Sequence, residues 1–137
     1  MKKAAADAGL PFTGTKRLYN TRLAQELTLW AESKNRGDAI HSAIFRAYFV
    51  DALNISSIPV LAELASSAGL SSEEASGILQ TRAFRSAVDS DWELSAKLRI
   101  TAVPTVILNQ SRIVGAYPYE EFVQLMDSNG VKKRPAA

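Results

Sequence analysis

His41 is the only histidine of the chain and its only conventional base near neutral pH. Base catalysis by one imidazole needs a nucleophile in reach and an acid to orient the ring, and no Gly-x-Ser-x-Gly or comparable motif offers them. His41 falls beside Phe45 and Tyr48 on its helix, so it reads as a surface or boundary histidine. Asp89, Asp91 and Glu93 form an acidic cluster in which positions 89 and 93 share a helix face. A divalent cation or an acid–base pair would suit such a face, but oxygen ligands at loop-like spacing are absent. With Arg82, Arg85 and Lys97 nearby, the cluster reads as a solvated, ion-paired surface. Lys132-Lys133-Arg134 is too short, and too poor in aromatics, to argue for nucleic acid. Gly14 stands alone and makes no phosphate loop. Trp30, Phe45, Tyr48, Phe49, Phe84 and Trp92 follow helical spacing and read as packed core, while Tyr19, Tyr117 and Tyr119 lie near breaks and could face a groove.

The chain contains no cysteine. Disulfides, Cys-ligated zinc, iron–sulfur clusters and thiol catalysis by its own residues are therefore excluded. A single histidine also excludes a multi-His metal site, and no metal site is expected. The 16 Lys+Arg and 14 Asp+Glu leave a net charge of +2, a weak field for gripping nucleic acid. At 137 residues, 47% hydrophobic and 22% charged, the composition is that of one ordinary globular domain. No run approaches the ~20 apolar residues that span a bilayer. Lys2 and Lys3 imitate the start of a signal peptide, but Asp7 interrupts the alanine run that follows. A cytoplasmic location is the expectation, with the proviso that a chain lacking its true N-terminus would have lost any signal.

The elements that must position these residues are mostly helical. Ala4, Ala5, Ala6 and Ala8 form a short helical piece stopped by Gly9, and Leu10 to Thr13 reads as extended because Pro11 disfavours the helical region for Leu10. A helix starting near Asn20 or Thr21 carries Leu23, Leu27, Trp30 and Ala31 at helical spacing and is expected to end at Gly37. Asp38 can cap the next, with Ile40, Ala43, Ile44, Ala47 and Tyr48 on one face. Ser57 caps a helix with Pro59 in its first turn, and Ser71 with Glu74 has the spacing of a capping box. A longer helix runs through Phe84, Ala87, Val88, Trp92, Leu94 and Leu98.

At Ile100 the pattern changes. Thr105-Val106-Ile107-Leu108 and Arg112-Ile113-Val114 are β-branched runs around Asn109-Gln110-Ser111, and the pair reads as a β-hairpin. Pro118 opens a last helix with Glu120 and Glu121 in its first turn and Phe122, Val123, Leu125 and Met126 inward. Pro104 precedes the first strand. It reads either as a strand-start proline or as a cis-proline turn, since only X-Pro bonds take cis at modest cost.

The ordered set Asn20-Thr21-Arg22-Leu23-Ala24, Ala43-Ile44-Phe45-Arg46-Ala47-Tyr48-Phe49 and Val60-Leu61-Ala62-Glu63-Leu64-Ala65 resembles the helical insertion of the DsbA-like thioredoxin family. The branch it looks like is the FrnE type, predicted dithiol-disulfide isomerases. Ile100-Thr101-Ala102-Val103-Pro104-Thr105 resembles that family's cis-proline loop, with Ala102 where glycine is usual, and Ile113 to Pro118 its last strand and helix start. The resemblance implies an α/β, incomplete thioredoxin-like fold with a large helical insertion, a C-terminal β-hairpin and a final helix. Its expected parts are a helix tail and short extended strand at 1–19, the helical insertion at 20–99, the cis-proline loop, hairpin and helix at 100–130, and a flexible tail at 131–137.

In that family a Cys-x-x-Cys motif follows an N-terminal strand, and the resemblance places both before Met1. It therefore assigns no catalytic residue here. It assigns substrate binding to Val103, whose backbone would pair with an extended peptide, and to Pro104 as the cis-proline. The implied activity is protein disulfide oxidation or isomerisation with no bound cofactor, catalytically incomplete in this chain. The alternatives are a non-catalytic peptide-binding or dimerising module, and a remnant of the 2-hydroxychromene-2-carboxylate isomerase and kappa-class glutathione transferase branch. The expected partner is an extended peptide or protein substrate, not nucleic acid or a membrane. An empty slot in the sheet, where Leu10–Thr13 and Thr105–Leu108 would each lack a neighbour, would be filled by a missing N-terminal segment, by a homo-oligomer or by a swapped segment, or would leave the Leu10–Thr13 end loose.

Overall fold

The computed structural model describes residues 2–14 and 17–132. Its contacts divide the chain into two units, one up to Asp91 and one from Trp92 onward.

The first unit is helical. It contains α1 (Lys2–Asp7), α2 (Arg22–Ser33), α3 (Gly37–Phe49), α4 (Ile58–Ser67), α5 (Ser72–Gln80) and the start of α6 (Arg85–Lys97). α2 packs on α3, and α4 on α5. Leu27 and Trp30 of α2, Ile40 and Ile44 of α3, Leu61 of α4 and Leu79 of α5 form one buried cluster. The 3.6-residue spacing of those apolar positions creates the faces that meet there. Full burial of each Leu or Ile is worth about 1.5–3 kcal/mol, which far exceeds any difference in helix propensity. α1 buries none of its residues.

Several helix boundaries follow their expected chemistry. Gly9 takes φ 66° after α1 and Gly69 takes φ 79° after α4. Pro59 lies in the first turn of α4, and Ser71 Oγ accepts the Glu74 N–H at 3.1 Å to start α5.

Gly37 differs from its expected role. α2 already ends at Ser33, where Asn35 takes the left-handed φ of 57° and the Arg36 N–H closes onto Ala31 O at 2.8 Å. Gly37 instead opens α3, and Asp38 sits inside the first turn rather than capping it. A Cβ at Gly37 would lie 2.6 Å from Glu32 Cγ, so the glycine serves close packing.

Leu10–Thr13 forms no strand. The Thr13 and Gly14 N–H groups both donate to Phe49 O, at 3.0 and 3.2 Å, and the Phe12 ring stacks on Phe49. The end of α3 supplies an open carbonyl, which takes the place of a ladder partner. Two of the expected core aromatics are also outside the core: Phe45 and Trp92 are each about half exposed.

The second unit contains the end of α6, a β-hairpin and α7 (Tyr119–Ser128). Strands β1 (Thr105–Leu108) and β2 (Ser111–Val114) pair antiparallel, with Thr105 opposite Val114 and Leu108 opposite Ser111. The loop is therefore shorter than Asn109 to Ser111. Asn109 makes the turn in the left-handed region at φ 54°, which asparagine tolerates better than most residues. Among the described residues the sheet has only these two strands. α7 buries none of its residues, and its Met126 is half exposed. Val131 and Lys132 follow without regular structure, and the remainder of the expected tail, with Lys133 and Arg134, lies outside the described residues.

Candidate substrate-binding loop

The turn out of α6 sets the geometry of the loop. Arg99 adopts φ 53°, its N–H donates to Ala96 O at 2.9 Å, and the Ile100 N–H donates to Ser95 O at 3.0 Å. This is a Schellman closure with arginine where glycine is usual. Two further carbonyls, of Leu98 and Arg99, point past the helix end. Both accept from the Arg112 guanidinium on β2, at 2.7 Å from Nη2 and 3.1 Å from Nη1.

The other end of the loop is fixed to the hairpin. Thr105 Oγ1 donates to Ala102 O at 2.6 Å, and the Gly115 N–H donates to Pro104 O at 2.8 Å. The Val103–Pro104 peptide bond is cis. Between these anchors Val103 is 87% exposed. Among the described residues nothing bonds its N–H or its C=O.

The bond from Gly115 to Pro104 also sets the phase of the ladder. Antiparallel pairing alternates, so Val106 and Leu108 face β2 with their backbone groups while Thr105 and Ile107 turn theirs to the open edge of β1. Beside the loop lies an open crevice of about 480 Å³ lined by Trp92, Ala96, Ile100, Ala102 and Val103, with Ser95 and Thr101 at its polar side. Among the described residues no Asp, Glu, His, Lys or Arg lines it. The arrangement can bind an extended backbone and apolar side chains, and the only reactive atoms that its described lining offers are the hydroxyls of Ser95 and Thr101.

The titratable groups with displaced pKa values lie in the first unit. Asp89 accepts a hydrogen bond from Arg22 and also faces Arg85 at 3.6 Å. The Arg22 hydrogen bond is the main cause that holds its carboxyl below the ordinary range; desolvation opposes it, and the charges of Arg22 and Arg85 add to the lowering. Arg82 donates from Nε and Nη2 to Glu26, and that bond raises its pKa above the ordinary guanidinium range. Glu93 pairs with Lys97 at 3.9 Å, so the acidic cluster is divided among separate cations. Among the described residues no group of three acidic or histidine side chains is placed to hold a metal ion. His41 is exposed and lies against the Phe45 ring, with centroids 4.5 Å apart.

Sequence reasoning missed Glu26 and Arg112, and it set Arg82 beside the acidic cluster where the structure pairs it with Glu26. Glu26 was detectable as a carboxylate at helical spacing from Leu23 and Trp30, within an otherwise apolar stripe. Arg112 gave no signal, because its role depends on pairing across the hairpin.

Comparison with known proteins now fits the geometry. Residues 1–127 match the DSBA-like thioredoxin domain, and the chain belongs to that family. It is 32% identical over 117 residues to the Bacillus subtilis protein YwbO, covering 82% of this chain and 57% of that protein. The crystal structure of a probable DsbA oxidoreductase from Streptomyces coelicolor superposes with a TM-score of 0.79 at 28% identity, over 98% of this chain and 59% of that one. A putative protein disulfide isomerase from Nitrosomonas europaea gives a TM-score of 0.71 at 20% identity, over 93% of this chain and 68% of that one, a likeness of fold. The chain thus spans somewhat more than half the length of YwbO and of the Streptomyces protein. Among the described residues no helix is long and apolar enough to cross a membrane.

Proposed function

We propose that this chain is the substrate-binding part of a FrnE-type thiol–disulfide oxidoreductase or isomerase, and that it binds extended peptides along Val103 and the open edge of β1. The observation that carries the reading is the exposed Val103, with its N–H and C=O unbonded among the described residues, in line with a strand edge that has no partner there. An extended peptide added to such an edge gains main-chain hydrogen bonds, and its alternate side chains enter neighbouring pockets. The crevice at Trp92 and Ile100 suits an apolar one. No bound cofactor takes part.

The chain itself supplies no thiolate, because it has no cysteine. It is catalytically incomplete for disulfide exchange. The same fact favours a second reading, a non-catalytic peptide-binding module, in which binding at this edge is the whole activity.

The test uses insulin B chain with its cysteines carboxamidomethylated, which removes thiol chemistry and leaves an extended polypeptide. Titrated into the isotopically labelled protein, it is expected to shift the amide signals of Ala102, Val103, Thr105 and Ile107 more than any in α2–α5. Equal shifts throughout, or none at those positions, would refute the proposal. In a parallel insulin-reduction assay the pure chain is expected to stay at the blank rate.

A further inference from the structure

The loop that presents Val103 connects a helix end to a strand, and one side chain ties the two together. Arg112 lies opposite Ile107 within the β ladder, so its backbone position is fixed by cross-strand pairing. Its guanidinium reaches back to the carbonyls of Leu98 and Arg99, where α6 has ended and the chain has turned left-handed. Those carbonyls carry the negative end of the helix dipole, and a cation there is favourable. Neither carbonyl is used by the Schellman closure, which takes those of Ser95 and Ala96. Arg112 therefore does what no backbone group in the turn does: it fixes the direction in which the chain leaves α6.

We infer that Arg112 is the positioning residue of the substrate-binding loop, holding residues 99–103 in the course that presents Val103 to an incoming peptide. The inference rests on the peptide-binding reading for its purpose, but the holding itself is separately measurable. With Pro104 anchored through Gly115 and Ala102 through Thr105, the far side of the loop is set by the hairpin alone. The near side is set by Arg112. Removing it leaves the α6 turn held only by the Schellman closure through the left-handed Arg99, a conformation that residues other than glycine resist.

An arginine is required by the geometry. Its planar fork delivers two donors to consecutive carbonyls at once, whereas a lysine ammonium on a flexible stem satisfies one well and the other poorly. The three states Arg, Lys and Gln at position 112 should therefore grade the loop from held to half-held to released.

The experiment compares the wild type with R112K and R112Q by amide hydrogen exchange and by titration with carboxamidomethylated insulin B chain. In R112Q the Arg99 and Ile100 amides are expected to exchange about tenfold faster while Val106 and Ile113, inside the ladder, keep their protection. Peptide affinity should fall about tenfold, with R112K between the two. Unchanged exchange at Arg99 and Ile100 in R112Q overturns the inference. So does an equal loss of protection at Val106 and Ile113, which would make Arg112 a general support of the hairpin. If the wild type binds no peptide at Val103, the proposed function falls, and the exchange at Arg99 and Ile100 still decides whether Arg112 holds the loop.

Discussion

Arg82 grips Glu26 with two nitrogens across 56 positions of sequence, Nε at 2.9 Å and Nη2 at 2.5 Å from Oε1. The Glu26 side chain is 1% exposed and the Arg82 side chain 38%. A carboxylate so thoroughly removed from water is tolerated only because the cation meets it in two-pronged geometry. Arg82 reaches it from a left-handed residue, φ 55°, just after α5. Arg82→Ala should cost about 3 kcal/mol, because the buried charge remains without its partner. Glu26→Gln should cost about 1–2 kcal/mol, the scale of a lost charged hydrogen bond. Replacing both by Met should return most of the loss. Urea unfolding of the three variants checks this, and a double variant as unstable as Arg82→Ala would contradict it.

Asp89 gives the chain an acid-sensitive contribution. Its pKa is lowered in the folded state, first by the Arg22 hydrogen bond and then by the charges of Arg22 and Arg85. A depressed carboxyl stabilises the fold above its unfolded value and loses that contribution as pH falls through its folded value. The stability difference between wild type and Asp89→Asn should therefore be constant above about pH 5 and shrink as pH drops below the ordinary 3.8. High salt should reduce it throughout, since the pair is partly exposed. Paired unfolding curves at low pH decide the matter. A difference that grows on acidification would reverse the sign of the argument.

Much of the first unit was legible because apolar spacing and helix stops are local signals. The stripe Leu23, Leu27, Trp30 and the stops at Gly9 and Gly69 needed no tertiary knowledge. Gly37 was misread because a glycine that ends one helix and one that lets another start against Glu32 look alike in sequence. Leu10–Thr13 forms no strand, and the Thr13 N–H bonds to Phe49 O, a partner that no local rule names. Strand chemistry singled out Pro104 but left it open between a strand start and a cis turn, and the cis Val103–Pro104 bond decides for the turn; Val103 was singled out through family resemblance alone. Arg112 stayed hidden because its partners belong to another element.

Arg99 offers a way to stabilise the chain. It occupies the left-handed position after α6 at φ 53°, where an L-residue pays roughly 1–2 kcal/mol. Glycine removes that cost but loses more entropy on folding, about 0.5–1 kcal/mol. Arg99→Gly should thus raise stability by a few tenths to about 1 kcal/mol. Arg82→Gly relieves the same backbone conformation but forfeits the grip on Glu26, so it should destabilise. Thermal melts of the two variants should move in opposite directions. A rise in both would mean that backbone strain alone governs both sites, and a fall in both would mean that Arg99 carries no strain for glycine to relieve.

The open edge of β1 should make the isolated chain self-associate. β1 pairs with β2 on one side only among the described residues, and Val106 and Ile107 are each more than a third exposed. β1 carries no charge, bulge or internal proline, the usual devices that keep strand edges apart. A second copy can therefore add its own β1 and extend the sheet through the Thr105 and Ile107 backbone groups. Val106→Lys places a charge on that strand, and a dimer would have to bring two such charges close together. It should weaken association about tenfold, roughly 1.4 kcal/mol. Because the proposed peptide site is the same edge, carboxamidomethylated insulin B chain should also lower the dimer fraction as it binds. Sedimentation at high micromolar concentration measures both effects. A monodisperse monomer whose Thr105 and Ile107 amides are strongly protected from exchange would show that the edge is already satisfied, and the prediction would fail.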